Sequence, residues 1–242
     1  MDARRQGVLW IVCAALLWST GGIGIKGVSD PALKVTFYRS LFAGITLLLL
    51  FRRNVFTRQW KSGLSFAAAI VSYGACLTTF VIATKWTTAA NAIFLQYAGV
   101  IWVLLLSPVL LREPLTRRDV IAVVLSLGGM ALFFFGRLEA RGAAGNAMAL
   151  LSSVFFAFLI LMLRRERSAS QSAVTIGNLL LAAALFPLVA TDLGLSAHSL
   201  VVLLGLGVFQ IAIAYACFVR GIREVTATEA SLTGMLEPVA NP

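Results

Sequence analysis

Two charged residues stand inside long apolar runs of this sequence and are its strongest candidates for chemistry. Arg39 follows Pro31 by eight residues, and Glu237 follows Ala227 by ten. A guanidinium in apolar surroundings can bind an anionic group, and a carboxyl group there can bind and release a proton. Each also has a structural interpretation. Arg39 could extend to the nearby outer interface or bond backbone carbonyls, and Glu237 could cap backbone groups freed by Pro238.

Uncharged polar and aromatic residues in the same apolar runs form a second group of candidates. They could hydrogen-bond or enclose a ligand, although each alone is more often a link between helices. Gln96 and Tyr97 rank first because they lie close to Gly99, which corresponds to Glu237 in the internal repeat described below. The candidate binding residues besides Arg39 are Trp18, Tyr73, Asn91, Gln96, Tyr97, Asn178, Gln210 and Tyr215.

These residues do not match the pattern of a catalytic or metal site. The chain has one histidine, His198, and it lacks the H-E-x-x-H and G-x-S-x-G motifs. Its three cysteines, Cys13, Cys76 and Cys217, are far apart within apolar runs, which favours a packing role. We therefore expect binding without bond formation, with no enzyme activity, no metal and no cofactor.

Apolar runs long enough to cross a bilayer must position these side chains. Apolar residues make up 60% of the chain and charged residues 12%, whereas soluble domains carry about 25% charged residues. The runs lack the period-two alternation of a membrane barrel, and a helix crosses the hydrocarbon layer with about 20 residues. We predict an all-α integral membrane protein with spans at roughly 7–28, 31–51, 63–84, 89–111, 119–136, 143–163, 173–190, 199–221 and from near Ala227.

Positive charge is distributed unequally between alternate connections. If the N-terminus is inside, the cytoplasmic segments hold fourteen Lys and Arg residues and the outer segments hold five. Such an excess is typical of the cytoplasmic side. We expect a multi-pass protein of the inner (plasma) membrane with a cytoplasmic N-terminus. Because the net charge of +10 forms no single basic face, we expect no nucleic-acid partner.

The second half of the chain repeats the first when Phe80 is aligned with Phe218. In this repeat alignment FVIATKWTTAANA from Phe80 lies over FVRGIREVTATEA from Phe218, with five identities in thirteen positions. A unit of five helices is odd-numbered, so its second copy enters the membrane from the opposite side. We predict an inverted repeat of two five-helix units, over 1–136 and 143–242, with about nine helices. The alignment places the end of a tenth helix about thirty residues beyond Pro242, so we expect a truncated second unit.

Several short motifs, taken in order, resemble the EamA-type, ten-helix members of the drug/metabolite transporter superfamily. They are WSTGG at 18–22, FYR at 37–39, NAIFLQYAGVIWVLL from Asn91, LLREPLT at 110–116 and LEPV at 236–239. The resemblance covers the whole chain, although no single motif is highly specific. Val100 stands where the family commonly has a proline, which leaves open whether helix 4 is broken. Arg112 replaces the glycine of the family's L-G-E helix end.

The resemblance implies a secondary transporter whose site lies between the two repeats and opens alternately to each side of the membrane. It implies export of small metabolites, such as amino acids or drug-like compounds. The position of Glu237 within an apolar run makes it our candidate for the proton-coupling residue. The expected partners are a small-molecule substrate and the lipid bilayer, and a homodimer is compatible with the sequence. Two alternatives stay open: a lipid-handling or membrane assembly protein with a groove open to lipid along Arg39, and an inactive truncated carrier.

Overall fold

The computed structural model describes residues 2–52, 55, 60–135 and 142–240, and over these residues it consists of helices joined by short connections, without strands. The helix bounds agree with the predicted apolar runs to within about four residues. Arg53, Arg58, Arg137 and Arg141, which enter the charge count above, lie outside the described residues. The helices are α1 Ala3–Lys26, α2 Ala32–Phe51, α3 Gly63–Trp86, α4 Ala89–Leu110, α5 Arg117–Phe133, α6 Ala143–Arg165, α7 Ser170–Val189, α8 Ala197–Gly221 and α9 over 227–240.

The outer surface of the helices is apolar, as a lipid environment requires. Within the described parts of the chain, seven helices, α1–α4 and α6–α8, are long and apolar enough to cross a membrane. Large apolar side chains point outward, including Leu132, which is 77% exposed. The chain is therefore a multi-pass, all-α membrane protein, as the sequence predicted.

Helix packing follows the internal repeat of the sequence. α3 packs along α6, and the corresponding pair, α8 and α1, packs in the same way. α4 lies against α6 as α9 lies against α1, while α2 packs against its own counterpart, α7. The two units therefore form an inverted repeat whose axis passes between α2 and α7.

Two glycines display this symmetry at atomic scale. Gly7 begins the close contact of α1 with the end of α8, and Gly145, its counterpart in the repeat alignment, does the same for α6 and α3. A Cβ atom at Gly7 would lie 2.8 Å from Cβ of Glu224, and one at Gly145 would lie 2.7 Å from the carbonyl carbon of Trp86. Trp86 and Glu224 are themselves counterparts in the same alignment. Both helix pairs thus need glycine because the backbones approach too closely for a side chain.

The helices α4 and α9 are both broken, at repeat-related positions. α4 is interrupted at Tyr97 and α9 at Met235, which is the counterpart of Tyr97 in the repeat alignment. At the α4 break the Ala98 N–H bonds the Leu95 carbonyl at 3.2 Å, a tightened three-residue turn. The break in α4 is therefore present although Val100 replaces the proline.

Two further irregularities were not predicted from the sequence. α1 is interrupted at Ser19 and Thr20, and α8 contains a π-helical segment, Leu206–Ile213. π-helical turns are rare and occur most often at functional sites. The interruption of α1 follows Trp18 directly, and the π-helical segment contains Gln210, so both irregularities adjoin candidate binding residues.

Candidate functional site

A small cavity lies between the two repeats, where the irregular parts of the helices meet. Its volume is about 30 Å³, which accommodates about two water molecules. Pockets for drug-sized ligands measure about 300–1,000 Å³, so the protein is closed around this cavity. Six of the predicted site residues are among those that line it: Trp18, Arg39, Gln96, Gln210, Tyr215 and Glu237.

Arg39 projects from α2 into the cavity and is only 2% exposed. Its Nη2 atom donates to Oε1 of Gln210 on α8 at 2.6 Å. Its buried Nε atom has no hydrogen-bond partner among the described residues, and no carboxylate of those residues forms an ion pair with it. Arg39 therefore does not extend to a polar interface. A buried cation with an unused donor is costly unless a ligand supplies the acceptor.

Trp18 on α1 provides a second unused donor in the same cavity. Its ring is buried against Phe156 and Tyr215, with centroid separations of 6.3 Å and 5.1 Å. The indole Nε1 atom has no partner in the part of the chain that the structure describes. Trp18 and Arg39 therefore each bring one buried N–H group without a described partner to the lining of this cavity.

Glu237 lies just after the break in α9, and its carboxyl group is hydrogen-bonded to Tyr97 at the break in α4. The Tyr97 hydroxyl is 2.7 Å from Oε2 of Glu237 and 2.6 Å from the carbonyl oxygen of Gly234. A hydroxyl has one proton and cannot donate to both acceptors. All three groups are satisfied if Glu237 is protonated and donates to Tyr97, which then donates to Gly234. The geometry therefore favours a neutral Glu237 in this conformation.

The remaining predicted residues are placed outside the cavity lining. Asn178 on α7 donates to the Tyr73 hydroxyl on α3 at 2.7 Å, and both residues are fully buried. Asn91, in the first turn of α4, donates to Asn146 of α6 at 3.0 Å. Each of these residues links two helices, which is the alternative to ligand binding given in the sequence analysis.

Five residues that line the central cavity, one polar and four apolar, were not predicted from the sequence. Phe156 could have been found, because it is the counterpart of Trp18 in the repeat alignment. Cys76, which we interpreted as a packing residue, lies with its Sγ atom 3.6 Å from Nε2 of Gln96. Leu77, Phe80 and Ile211 are apolar residues within apolar runs, so nothing in the sequence distinguishes them from residues that face lipid. The missed residues are Cys76, Leu77, Phe80, Phe156 and Ile211.

Glu113 links the two repeats at the end of the bundle where α4 and α6 finish. Its Oε1 atom accepts from Nε of Arg164 at 2.8 Å, and its Oε2 atom accepts from the Ala227 backbone N–H at 2.9 Å. Arg164 also donates to the carbonyls of Ile222 and Arg223 at 3.0 Å and 2.9 Å. These bonds tie α4 and α6 to the connection between α8 and α9.

Lys34 links the repeats at the opposite end of the bundle. Its ammonium group pairs with Asp30 at 3.3 Å and with Asp192, in the connection between α7 and α8, at 3.1 Å. Burial raises the pKa of Asp30, but the hydrogen bond from Ser199 and the charge of Lys34 more than offset this and hold the pKa below its usual range. Asp30 thus stays ionised in this network, which joins the two repeats at this end of the bundle.

The comparison with protein families gives a match over nearly the whole chain. Residues 5–135 and 143–241 match the EamA-like transporter family. The chain belongs to the EamA-like transporter family. This confirms the family that the motifs resembled, and it makes the protein a membrane transporter.

Relatives of this EamA-like chain extend over most of its length. An uncharacterized transporter of Archaeoglobus fulgidus is 28% identical over 239 residues, which cover 97% of this chain and 84% of the relative. One of Clostridium kluyveri is 22% identical over 258 residues, covering 97% and 82%. One of Helicobacter pylori strain J99 is 27% identical over 166 residues, covering 66% and 56%. A solved crystal structure superposes with a TM-score of 0.80 at 18% identity, covering 98% of this chain and 86% of that one, so the two share a fold.

Proposed function

We propose that this EamA-like protein is a secondary carrier that exports small metabolites with an anionic group, such as amino acids or drug-like compounds, by alternating access. The observation that carries the proposal is Arg39, which is buried in a cavity between two inverted repeats and has no carboxylate partner among the described residues. An intramembrane cation without a counter-ion is expensive, and it is expected where a substrate supplies the opposite charge. The substrate's anionic group would accept from Nε of Arg39 and Nε1 of Trp18.

The other residues of the cavity supply the rest of the substrate contacts in this proposal. Gln96, Gln210 and Tyr215 offer uncharged hydrogen-bonding groups, and the Phe156 ring forms an apolar wall. A substrate larger than the present cavity requires the repeats to move apart. Rocking of two inverted repeats about a central site accomplishes this and exposes the site to one side at a time.

Glu237 is the proton-coupling residue in the proposal. In the closed conformation the Tyr97 hydroxyl and the Gly234 carbonyl suit a protonated Glu237. Opening the cavity would admit water, which stabilises the carboxylate and lets the proton leave. A proton taken up on one side and released on the other would drive export.

Two further observations bear on the alternatives and on orientation. A lipid-handling protein would need Arg39 in a groove open to lipid, whereas its side chain is buried. The bundle end that holds Arg4, Arg112 and Arg164 carries most of the basic residues that the structure describes. We infer that this end faces the cytoplasm of a cell with a bacterial-type inner membrane, and an N-terminal tag cleaved by protease only in inverted vesicles would support that orientation.

The proposed experiment measures transport in proteoliposomes. The chain is reconstituted with a pH gradient, and flux of a pooled set of amino acids and small carboxylates is followed by mass spectrometry. Arg39→Gln removes the guanidinium of the cavity and Glu237→Gln removes its carboxyl group. Arg117→Gln, at the exposed start of α5, is the matched control.

We expect the three variants to differ in the flux that this experiment measures. Arg39→Gln should abolish measurable flux, because the substrate anion loses its counter-ion. Glu237→Gln should lose the dependence on the pH gradient, whereas Arg117→Gln should behave as the wild type. Full flux through Arg39→Gln would remove Arg39 from the site, and a wild-type chain that moves no pool member faster than empty vesicles would count against the carrier.

A further inference from the structure

A second, larger pocket lies at the bundle end where α4 and α6 finish, separate from the central cavity. It has a volume of about 550 Å³. Five basic side chains and one acidic side chain line it, together with three apolar residues from the end of α4. The residues of this basic pocket are Lys61, Val109, Leu110, Leu111, Arg112, Glu113, Arg164, Arg165 and Arg167.

The carboxylate of Glu113 in the basic pocket already accepts hydrogen bonds within the protein. Both oxygens of Glu113 are bonded, one to Arg164 and one to the Ala227 N–H. The nearby carboxylate of Glu166 accepts from the Lys61 and Ser62 backbone N–H groups instead. Among the described residues no acidic side chain therefore pairs with the four remaining cations, which all have exposed side chains: Lys61, Arg112, Arg165 and Arg167.

The backbone of Arg112 gives an independent sign that its side chain is needed there. α4 ends with Leu111 as its C-cap, and Arg112 follows with φ of +59°. This left-handed conformation is the one that glycine adopts at helix ends without cost, and a branched or long side chain is disfavoured in it. An arginine held in a glycine conformation, beside three other cations without acidic partners, points to a ligand for its guanidinium.

The apolar part of the pocket indicates what kind of ligand this is. Val109, in the last turn of α4, is 76% exposed and lines the pocket together with the basic side chains. An apolar surface does not stabilise a free anion, whereas a phospholipid carries an acyl chain that can pack on this surface beside its phosphate group. We propose that the basic pocket binds the phosphate group of an anionic phospholipid, with Arg112 and Arg165 as direct ligands.

The test measures binding by the detergent-solubilised full chain, so it is independent of any transport activity. Three probes are titrated and followed by native mass spectrometry: phosphatidylglycerol, phosphatidylcholine with the same acyl chains, and inorganic phosphate. The double variant Arg112→Gln with Arg165→Gln removes two charges from the pocket. The matched control, Arg117→Gln with Arg118→Gln, removes two exposed charges from the start of α5.

We expect phosphatidylglycerol to bind the wild type more tightly than either other probe. The pocket variant should weaken this binding by about 30-fold, and the control by at most about threefold. Equal losses in the two variants would mean general surface attraction and would overturn the site. Equal binding of inorganic phosphate would overturn the lipid assignment.

A third variant separates ligand binding from a purely structural role. Arg112→Gly suits the left-handed backbone, so it should raise the melting temperature of the lipid-free protein. It should also weaken phosphatidylglycerol binding by about fivefold, because one cation is lost. A variant that is more stable and binds the lipid as the wild type does would show that Arg112 has no part in binding.

Discussion

The two charged residues of the central cavity have no charged counterparts in the repeat. Arg39 corresponds to Gly177, and Glu237 corresponds to Gly99, in the repeat alignment. Gly99 is required by packing, since a Cβ atom there would lie 2.7 Å from the Ser153 carbonyl oxygen. The helix framework is thus symmetric while its chemistry is not, so each charge is present once and can act in only one half of the molecule.

Tyr97→Phe tests how the Glu237 proton is held. Removing the hydroxyl leaves the Gly234 carbonyl without this donor and a protonated Glu237 without its acceptor, so the free energy of unfolding should fall by about 1–3 kcal/mol. Infrared spectra at neutral pH should contain a protonated-carboxyl band that is lost in Glu237→Gln. In Tyr97→Phe this band should move to the higher frequency of a carboxyl group with a weaker hydrogen bond.

Tyr73→Phe is the control for this prediction, because Tyr73 is equally buried and bonds Asn178 instead of Glu237. Its spectrum should keep the band of the wild type. If the spectra of wild type and Glu237→Gln show the same protonated-carboxyl bands, Glu237 is ionised in the resting protein and the hydrogen-bond argument is wrong.

At the scale of helices, the features that depend on local composition could be predicted from the sequence. The spans followed from apolar runs, and Arg39 and Glu237 stood out because a charged group within such a run is costly. The break in α4 could not be predicted, since it involves contacts between helices. Tyr97 bonds the Gly234 carbonyl of α9, and the absence of a side chain at Gly99 lets α6 approach.

The repeat-related glycines give a prediction about helix packing. Gly7→Ala and Gly145→Ala should both lower the melting temperature, and Gly145→Ala should lower it more, because its Cβ atom would meet backbone atoms of Trp86 and Thr87. Gly128→Ala is the control: nothing lies within 4 Å of a Cβ atom there, so the higher helix propensity of alanine should leave stability unchanged or raise it by up to about 1 kcal/mol. Similar losses at all three positions would mean that close approach is not what these glycines permit.

At the scale of the whole molecule, the two ends of the bundle are closed by different chemistry. Arg164 holds one end through a carboxylate and two backbone carbonyls, whereas Lys34 holds the other through two carboxylates. Each network joins one repeat to the other, so under the proposed mechanism it would have to break for the cavity to open on its side. Alternating access requires the two networks to break at different times.

Cys76 offers a probe of this alternation, because it is buried in the lining of the central cavity. In a background with Cys13→Ser and Cys217→Ser, a membrane-impermeant thiol reagent can reach only this cysteine. Arg164→Gln removes a charged hydrogen-bond network worth about 1.5–3 kcal/mol, which shifts the population towards opening at that end by about 10- to 100-fold. Lys34→Gln should do the same at the opposite end.

Labelling of sealed vesicles from each side measures the outcome. Arg164→Gln should raise the rate of Cys76 labelling only from the side where α4 and α6 end, and Lys34→Gln only from the other side. Arg117→Gln, which loses the same charge as Arg164→Gln outside either network, should label as slowly as the unmodified background. If both gate variants became accessible from both sides, the networks would hold the bundle together without acting as separate gates, and alternating access would need another closing element.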